Sequence, residues 1–553
     1  MKLRRSIGLK TQTKKAIMIG TLALILGTTM TACGSNNNGS NNGAKDQSAS
    51  STNNTKDTGN NTATADSNTS TDTNAAPAGP DISKHVKLTW AALGDPPKDF
   101  DAVKAKLNEM ANKDLNADID FVWIGWGDLD SKYPLMLMSG QNVDMIYTAG
   151  WLGYSDNAKK GAFTELTKDM LDKYAPSAEQ KLPPEAWSNA TVDGKIIAVP
   201  RNFLEYQDAG LAVRGDIMSK AGVTALTNLD DVEKYLAAAK EADPKVVPFN
   251  TGASVGDYPL TSFITKKESL ISVPGLPANM LLFDPLETKP QVSSVFDNAD
   301  LLAAYPKIRE MFQKGYINKN VLNNKTPSRD SFQSGQSALA AYGDNQFRDS
   351  YNGINAAHPD WNVSFQSFSP EGPFIKLAYD SGMMAIPSAS NNKERALMFM
   401  DKFFSDPNYY MLMIYGIEGK HWEYTADKSQ IEVPAGTDPS LYPKWQYPWG
   451  FGDWVGFNKP STTDYPDYAK HVQYMSSIAK DNPYANFKPN TDSIKNEIAA
   501  LNNVFIKYGG ALSYGAVDPD EALKKAASEL KAAGYDKVKT EIQKQLDAFT
   551  PGS

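Results

Sequence analysis

The part of the chain after residue 80 alternates between strand-like and helix-like hydrophobic spacing, and this alternation restricts the possible folds more than any other feature. The predicted order is strand 86–92, helix 100–110, strand 119–124, helix 132–139 and strand 143–147. A β-α-β-α-β order favours a mainly parallel sheet with helices packed on its faces. The expected fold class is therefore α/β.

Ligand-binding loops in such sheets lie at the carboxyl ends of the strands. In this sequence they are residues 125–130, after the second predicted strand, and residues 148–154, after the third. We therefore expect a binding site to include side chains from both loops.

The N-terminus carries basic residues followed by an apolar run, residues 17–27, that is too short to span a bilayer stably. The tetrapeptide Met30-Thr31-Ala32-Cys33 after it resembles the cleavage site of a bacterial lipoprotein signal. This resemblance implies that residues 1–32 are a signal peptide and that Cys33 becomes the lipid-carrying first residue. It places the protein on the outer face of the cytoplasmic membrane.

Residues 33–80 are rich in Asn, Ser, Thr and Gly and contain almost nothing apolar, so they are expected to form a disordered tether. A flexible coil of this length has an end-to-end distance of roughly 40 Å. Such a tether would leave the folded part free to reorient above the membrane.

Composition excludes several classes of function. The whole chain has a net charge of −8, and residues 1–32 contain no acidic side chain, so the remainder is more acidic still and is unsuited to nucleic acid. Cys33 is the only cysteine, so no intrachain disulfide forms and a large core must stabilise the fold. No metal or cofactor motif is present, and we expect a monomer without a metal or cofactor.

The C-terminal region predicts packing helices. Asp518 precedes Pro519 and lies three residues before Glu521, which is typical of a helix start, and Gly534 is a stop signal. Apolar stripes of helical spacing occur before and after this helix, at residues 494–505 and 538–549.

Several motifs together resemble extracellular solute-binding proteins of the carbohydrate ABC importer class (family 1). They are the segment 193–200 followed by Glu205, the segment 332–339, the segment 415–421, Asn486-Phe487 and the segment 497–501. The last three resemble a Gram-positive lipoprotein branch that ends in a domain of unknown function, here 485–553.

The resemblance implies a two-lobed periplasmic-binding-protein-like fold (type II), with a ligand cleft between lobes joined by crossing strands. It implies that residues 81–203 plus 343–380 form the first lobe and residues 204–342 plus 381–553 form the second. The implied function is binding of a carbohydrate, expected to be an oligosaccharide, and its delivery to ABC permease subunits in the membrane. No bond would be made or broken, so the protein is not expected to be an enzyme.

A sugar cleft needs flat aromatic rings and carboxylate or amide groups, because sugars present apolar faces and hydroxyl edges. The loops after the second and third strands supply Trp126, Asp128, Trp151 and Tyr154. The family resemblance adds Glu205, Tyr206, Asp344, Asn345, Glu418 and Trp422. Asp257 and Tyr258 lie in a loop that resembles a ligand loop of maltose-type receptors but departs from it in length, and Asp380 is a candidate because it lies near the strand-helix junction before Gly382. Core packing or surface exposure is the alternative role for each of them.

Alternatives from other classes remain open at this point. Residues 252–256 match the G-x-S-x-G pattern of serine hydrolases, although Pro259 disturbs the helix that should follow. A surface glycoside hydrolase would need a carboxylate pair, which is defined by separation in space rather than in sequence. A structural or signalling lipoprotein would bind no nutrient for uptake.

Overall fold

The computed structural model describes residues 80–125, 128–203, 208–252, 258–442 and 451–552, all of which belong to one compact unit. The strands are β1 Val86–Leu93, β2 Ala117–Ile124, β3 Met145–Thr148, β4 Thr191–Val192, β5 Lys195–Ile196, β6 Val199–Pro200, β7 Ala209–Val213, β8 Ile271–Ser272, β9 Leu282–Phe283, β10 Leu339–Gly343, β11 Ser364–Ser367, β12 Met383–Ala385, β13 Glu423–Tyr424 and β14 Ile431–Glu432. The helices are α1 Phe100–Leu115, α2 Leu129–Met138, α3 Tyr154–Lys159, α4 Lys168–Tyr174, α5 Pro176–Lys181, α6 Pro184–Asn189, α7 Gly215–Ala221, α8 Leu229–Ala242, α9 Pro259–Lys267, α10 Ala299–Gln313, α11 Ser328–Gln333, α12 Asp344–Ala357, α13 Lys393–Ser405, α14 Pro407–Tyr415, α15 Trp454–Phe457, α16 Tyr468–Ile478, α17 Lys495–Ser513, α18 Pro519–Ala532 and α19 Tyr535–Ala548.

The first sheet has the strand order β2-β1-β3-β12-β6, and we call the part of the molecule around it the five-stranded lobe. Strands β1, β2 and β3 are parallel, whereas β12 runs antiparallel to both β3 and β6. The predicted β-α-β-α-β start of the fold is therefore confirmed. The late strand β12 enters this sheet from more than 200 residues downstream, so the sheet is mixed.

Both faces of the first sheet are covered, as expected for a sheet with parallel strands. Leu88 and Trp90 face one core, which they share with Val103 and Leu107 of α1. The intervening residue Ala91 faces the other core. This two-residue alternation places the apolar side chains of one strand into two separate cores.

The second sheet has the order β10-β7-β11, with both outer strands antiparallel to β7, and we call its surroundings the three-stranded lobe. Leu211 and Val213 face the large core of this lobe, and Ala212 faces a smaller core that contains Phe347 of α12. A Cβ at Gly210 would lie only 2.1 Å from the carbonyl oxygen of Gln366, so β7 and β11 approach closely only because this residue is glycine.

The C-terminal helices belong to the three-stranded lobe. The predicted stripes of α17 and α19 enter the same core as Leu211, with Leu501 and Ile542 fully buried. The Asp518 side chain accepts a hydrogen bond from the backbone N–H of Glu521 at 3.1 Å, which confirms the predicted start of α18. These helices therefore form part of a lobe core.

Strand pairing assigns two chain segments to lobes other than those expected from the resemblance. Strand β11 pairs with β7 of the three-stranded lobe, although residues 343–380 were expected in the first lobe. Strand β12 pairs with β3 of the five-stranded lobe, although residues from 381 onward were expected in the second. Both are antiparallel pairs between segments distant in sequence, and local periodicity carries no information about them.

Within the described ranges, no helix is both long enough and apolar enough to cross a bilayer. The predicted signal peptide, Cys33 and the predicted tether up to residue 79 lie outside the described residues.

Candidate functional site

A cavity of about 1610 Å³ lies where the ends of strands from the two sheets meet. Leu93, Gly94 and Asp95 at the carboxyl end of β1 contribute the wall from the five-stranded lobe. The first turns of α12, which follow β10, contribute the wall from the three-stranded lobe. The cavity therefore occupies the position at which α/β sheets bind ligands, and it exceeds the size typical of sites for drug-sized molecules.

Asp344 lies at the start of α12, on the wall of this cavity. Its backbone N–H donates to the carbonyl oxygen of Asp208 at 3.1 Å, which ties the end of β10 to the beginning of β7. The Asp344 side chain is only 2% exposed, and its Oδ1 atom has no hydrogen-bond partner among the described residues. A buried carboxylate oxygen without a partner is costly unless a ligand, water or proton satisfies it.

The pKa of Asp344 is raised to about 7, mainly because burial disfavours the charged form. The nearby carboxylate of Asp208 raises the pKa further, whereas the Asn345 backbone N–H, His471 and Arg348 oppose the shift. Asp344 is therefore poised to change charge near neutral pH at the surface of the cavity.

Arg348, one turn after Asp344 on α12, joins three elements of the cavity wall. Its Nε donates to Asp349 at 2.9 Å and its Nη1 donates to the hydroxyl of Tyr468 on α16 at 2.8 Å. The guanidinium also lies 4.9 Å from the centre of the Tyr468 ring, and Asp464 is 3.8 Å from Nε. The side chain is 4% exposed, so these interactions occur largely out of water.

Aromatic rings supply much of the remaining wall. Trp454 packs edge-on against Phe203 with ring centres 4.4 Å apart, and both line the cavity. Trp422 also lines it and donates from its Nε1 to the carbonyl oxygen of Gly416 at 2.9 Å, which fixes the plane of the indole. Tyr415 and Tyr468 add phenol rings. Rings beside amides and carboxylates match the two kinds of surface that a sugar presents.

His421 also lines the cavity, but both nitrogen atoms of its ring are already used in hydrogen bonds within the protein. Its Nδ1 accepts a hydrogen bond from the backbone N–H of Ile417 at 2.9 Å, so the proton is assigned to Nε2, which donates to Asp99 at 2.8 Å. Lys420 and His421 together hold the pKa of the Asp99 carboxyl below its usual range.

A second cluster of predicted ligand residues lies at the carboxyl end of β3. Trp151 is 54% exposed and its Nε1 donates to the carbonyl oxygen of Ser381 at 3.3 Å. The adjacent residue Asp380 lies against Gly150 and has a pKa raised to about 6, because burial outweighs the attraction of Lys488. Arg201, which lines the cavity, donates to the hydroxyl of Ser381 at 3.4 Å and so connects this cluster to the cavity wall.

The structure brings together some of the predicted ligand residues and separates others. Asp344, Asn345 and Trp422 line the cavity, and Trp151 and Asp380 lie in the cluster beside it. Asp128 precedes α2 without a side-chain capping hydrogen bond and pairs with Lys132 at 2.8 Å, whereas Glu418 is exposed and forms an isolated β-bridge with Trp422.

Two predicted ligand residues are buried in lobe cores. Tyr154 is 1% exposed and donates to the carbonyl oxygen of Asn189, and Tyr258 packs edge-on against Tyr514 at 6.3 Å. The remaining candidates, Trp126, Glu205, Tyr206 and Asp257, lie outside the described residues, as does most of the G-x-S-x-G segment. A ligand-binding role for all these side chains stays a prediction.

Several residues of the cavity wall were not predicted from the sequence: Arg201, Phe203, Arg348, Trp454 and Tyr468. A local signal existed for one of them, since Arg348 follows Asp344 by four positions on a helix and so lies on the same face. The others approach the cavity from separate segments. Across the described part of the chain, no group of three or more His, Cys, Asp or Glu side chains is arranged to hold a metal ion.

The fold and cavity define a two-lobed ligand-binding protein, and sequence comparison identifies the family. The profile described as "Bacterial extracellular solute-binding protein" matches residues 102–417, more than half of the chain. The chain belongs to this family, which confirms the resemblance and places the protein in an extracytoplasmic class. A second profile, described only as a domain of unknown function, matches residues 483–551.

Individual relatives agree with this assignment. The chain is 27% identical over 474 residues to a "Carbohydrate ABC transporter substrate-binding protein" of Streptococcus pneumoniae, covering 83% of this chain and 89% of the relative. It is 24% identical to "Lipoprotein LipO" of Bacillus subtilis, covering 62% of this chain and 68% of the relative.

Solved structures confirm the two-lobed α/β fold. The crystal structure of the "N-glycan transport solute binding protein (NgtS)" of Streptococcus pneumoniae superposes with a TM-score of 0.69 and 24% identity, covering 84% of this chain and 99% of that chain. The complex of that protein with Man5GlcNAc superposes with a TM-score of 0.66 and 25% identity, covering 84% and 98%.

Proposed function

We propose that the protein is a lipid-anchored receptor, acting as a monomer, that captures an oligosaccharide outside the cell and delivers it to the permease of an ABC importer. The observation that carries the proposal is the 1610 Å³ cavity, in which aromatic rings lie beside amide, hydroxyl and carboxylate groups. The name of the pneumococcal carbohydrate transporter relative supports the importer role, and that of the Bacillus lipoprotein supports acylation of Cys33.

The size and lining of the cavity favour binding over catalysis. An oligosaccharide needs several contact points along an extended cleft, and the lining residues come from both lobes. Because lobe closure adds contacts to a bound ligand, closure would also give a permease a distinct shape to recognise. We therefore infer that the protein releases its ligand chemically unchanged.

The proposal is tested by titrating the purified protein with neutral oligosaccharides, including Man5GlcNAc, and with uronic-acid oligomers and peptides. A ligand at a hundred times its dissociation constant is expected to stabilise the protein by about 2.7 kcal/mol. Mass spectrometry of the recovered ligand checks that it is intact. Cleaved sugar would identify a hydrolase, and the absence of any saccharide binding would contradict the proposal.

Replacing Trp151 by alanine is expected to weaken sugar binding by about tenfold or more, because an aromatic stacking surface is removed. The melting temperature should change little, since the indole is 54% exposed and makes one hydrogen bond, to Ser381. Ile506→Ala on α17 is the matched control, because Ile506 is 52% exposed and lies far along the chain. Unaltered affinity in the Trp151 variant, or a lowered melting temperature, would remove Trp151 from the site.

A further inference from the structure

The C-terminal module, residues 483–551, is the part of the chain that matches a domain of unknown function. It is fixed to the three-stranded lobe. Tyr484 and Phe487 pack edge-on against Phe283 with ring centres 5.6 and 6.3 Å apart, and the module helices share the large core of that lobe. The module is therefore expected to move with the three-stranded lobe.

Two side chains of the module nevertheless bind the five-stranded lobe. Asn486 Oδ1 accepts from the side-chain amide of Asn189 at 2.6 Å, and Asn486 Nδ2 donates to the hydroxyl of Ser188 at 3.1 Å. Lys488 Nζ donates to the carbonyl oxygen of Asn189 at 3.0 Å and also to the hydroxyl of Tyr154, and it lies 4.8 Å from the centre of the Tyr154 ring. We call these five residues the clasp.

The clasp lies beside the chain segment that crosses between the lobes after β11. In this segment Phe374 O accepts from the backbone N–H of Lys480 at 2.8 Å, and the backbone N–H of Lys376 donates to Lys480 O at 2.9 Å. The chain that leads into the module therefore runs along the crossing before it reaches the clasp residues. A contact here is well placed to influence the angle between the lobes.

The clasp also touches the cluster of predicted ligand residues at the end of β3. The side chain of Asn189 accepts from the backbone N–H of Tyr379 at 2.8 Å, directly before Asp380. The Lys488 ammonium attracts the Asp380 carboxylate, and Asp380 lies against Gly150, the neighbour of Trp151. A change in the angle between the lobes is therefore expected to move the Trp151 and Asp380 cluster, because the two module residues bind Asn189 and Lys488 also attracts Asp380.

We propose that the C-terminal module controls ligand affinity, with Asn486 and Lys488 acting as positioning residues that hold the two lobes in the ligand-binding arrangement. The bonds have lengths of 2.6 to 3.1 Å and join two packed bodies, so a rotation of one lobe that separates these atoms breaks them. They therefore stabilise the described lobe arrangement, in which both lobes line the cavity, relative to arrangements in which the lobes have rotated apart. This inference rests on the proposed receptor function for its effect on affinity.

Population shift gives the size of the effect. Affinity falls by the factor by which the population of this cavity-forming arrangement falls, and two hydrogen bonds to an ammonium are a large enough interaction to change that population by about tenfold. Lys488→Met and Asn486→Ala are each expected to raise the dissociation constant, about tenfold for Lys488→Met, with faster ligand release. Lys488→Arg keeps the cation and is expected to recover part of the affinity.

The matched control is Lys495→Met, which removes an exposed lysine from α17 of the same module. It is expected to bind ligand as the wild-type protein does. Equal affinity and release rate for Lys488→Met, Asn486→Ala and the wild type would overturn the proposal. So would equal loss in Lys488→Arg and Lys488→Met accompanied by the same fall in melting temperature, because that result indicates a purely structural role.

A ligand-free measurement separates this proposal from the proposed function. Spin labels at Glu185→Cys on α6 and Lys544→Cys on α19, in the full chain carrying Cys33→Ser, report the distance between the lobes. Lys488→Met is expected to broaden and lengthen the distance distribution without any ligand present. An unchanged distribution would contradict the clasp, whereas a changed distribution in a protein that binds no sugar would support the clasp and reject the receptor function.

Discussion

At pH 8 the Asp344→Asn variant is expected to be more stable towards urea than the wild-type protein, by up to about 4 kcal/mol, whereas at pH 4 the two should differ by less than about 1 kcal/mol. The reason is the raised pKa of Asp344, about 7 against an ordinary value of 3.8, which results mainly from burial. Ionising this 2%-exposed side chain in the folded protein is costly, and asparagine cannot ionise.

The direction in which the free energy of unfolding changes with pH follows from proton binding. A carboxyl with a raised pKa holds its proton more tightly in the folded state than in the unfolded state, so unfolding releases the proton between about pH 4 and pH 7. The free energy of unfolding therefore falls as the pH rises through this window, and the loss is complete above about pH 7. Urea unfolding curves at four pH values between 4 and 8 measure it directly.

Asp120→Asn provides a control of opposite sign. Lys104 and Lys87 hold the pKa of the Asp120 carboxyl below its usual range, so its stabilising effect is present above the unfolded pKa and lost in acid. From pH 4 to 8 the Asp120 variant should be less stable than the wild type by a nearly constant amount, because the contribution of this carboxyl changes only below about pH 4. The difference should be small, because the side chain is 35% exposed. If the Asp344 variant and the wild type gave parallel curves from pH 4 to 8, the burial of an ionisable group at the cavity wall would be disproved.

The same titration connects pH to ligand binding. Asp344 lines the cavity and its Oδ1 atom has no partner among the described residues, so a sugar hydroxyl that donates to this oxygen would favour the charged form. Binding would then release a proton near neutral pH. Titrating ligand in two buffers of different ionisation enthalpy measures that release.

The sequence predicts the local parts of the fold well. Strands β1, β2 and β3 and helices α1 and α2 follow from apolar spacing within single segments, and the start of α18 follows from Asp518 and Pro519. Apolar spacing does not predict to which lobe a late segment of the chain belongs. That assignment depends on which antiparallel partner β11 or β12 finds, and no pattern inside a strand of three or four residues encodes that choice.

The candidate site shows the same division. The wall at the end of β10 was predicted, because family resemblance and the position after a strand both point to Asp344 and Asn345. The pair of rings Phe203 and Trp454 in the aromatic wall was not predicted, because these residues lie about 250 positions apart in sequence and meet only through tertiary packing. An aromatic residue in a sequence has the same appearance whether it lines a cleft, as Trp454 does, or fills a core, as Tyr154 does.

Arg348→Met is expected to lower the free energy of unfolding by about 3 to 5 kcal/mol, the typical effect of removing one partner of a buried ion pair. Arg348 is 4% exposed and holds Asp349 on its own helix and Tyr468 on α16. Without the cation, the Asp349 and Asp464 carboxylates each lose a guanidinium nitrogen that lies 2.8 and 3.8 Å away, and their side chains are only 30% and 16% exposed.

Sugar affinity should fall together with stability, because the same cation fixes two walls of the cavity, α12 and α16, in one arrangement. Arg348→Lys keeps the charge but loses the planar fork that binds Asp349 and Tyr468 together, so it should give an intermediate loss. Lys470→Met is the control, since Lys470 pairs with Asp467 on the surface of α16 at 80% exposure and its loss should change stability by less than about 0.5 kcal/mol. Urea unfolding measures the stability of the three variants, and calorimetric titration measures their sugar affinity. A normally stable Arg348→Met variant with unaltered affinity would show that the cavity wall is held by packing alone.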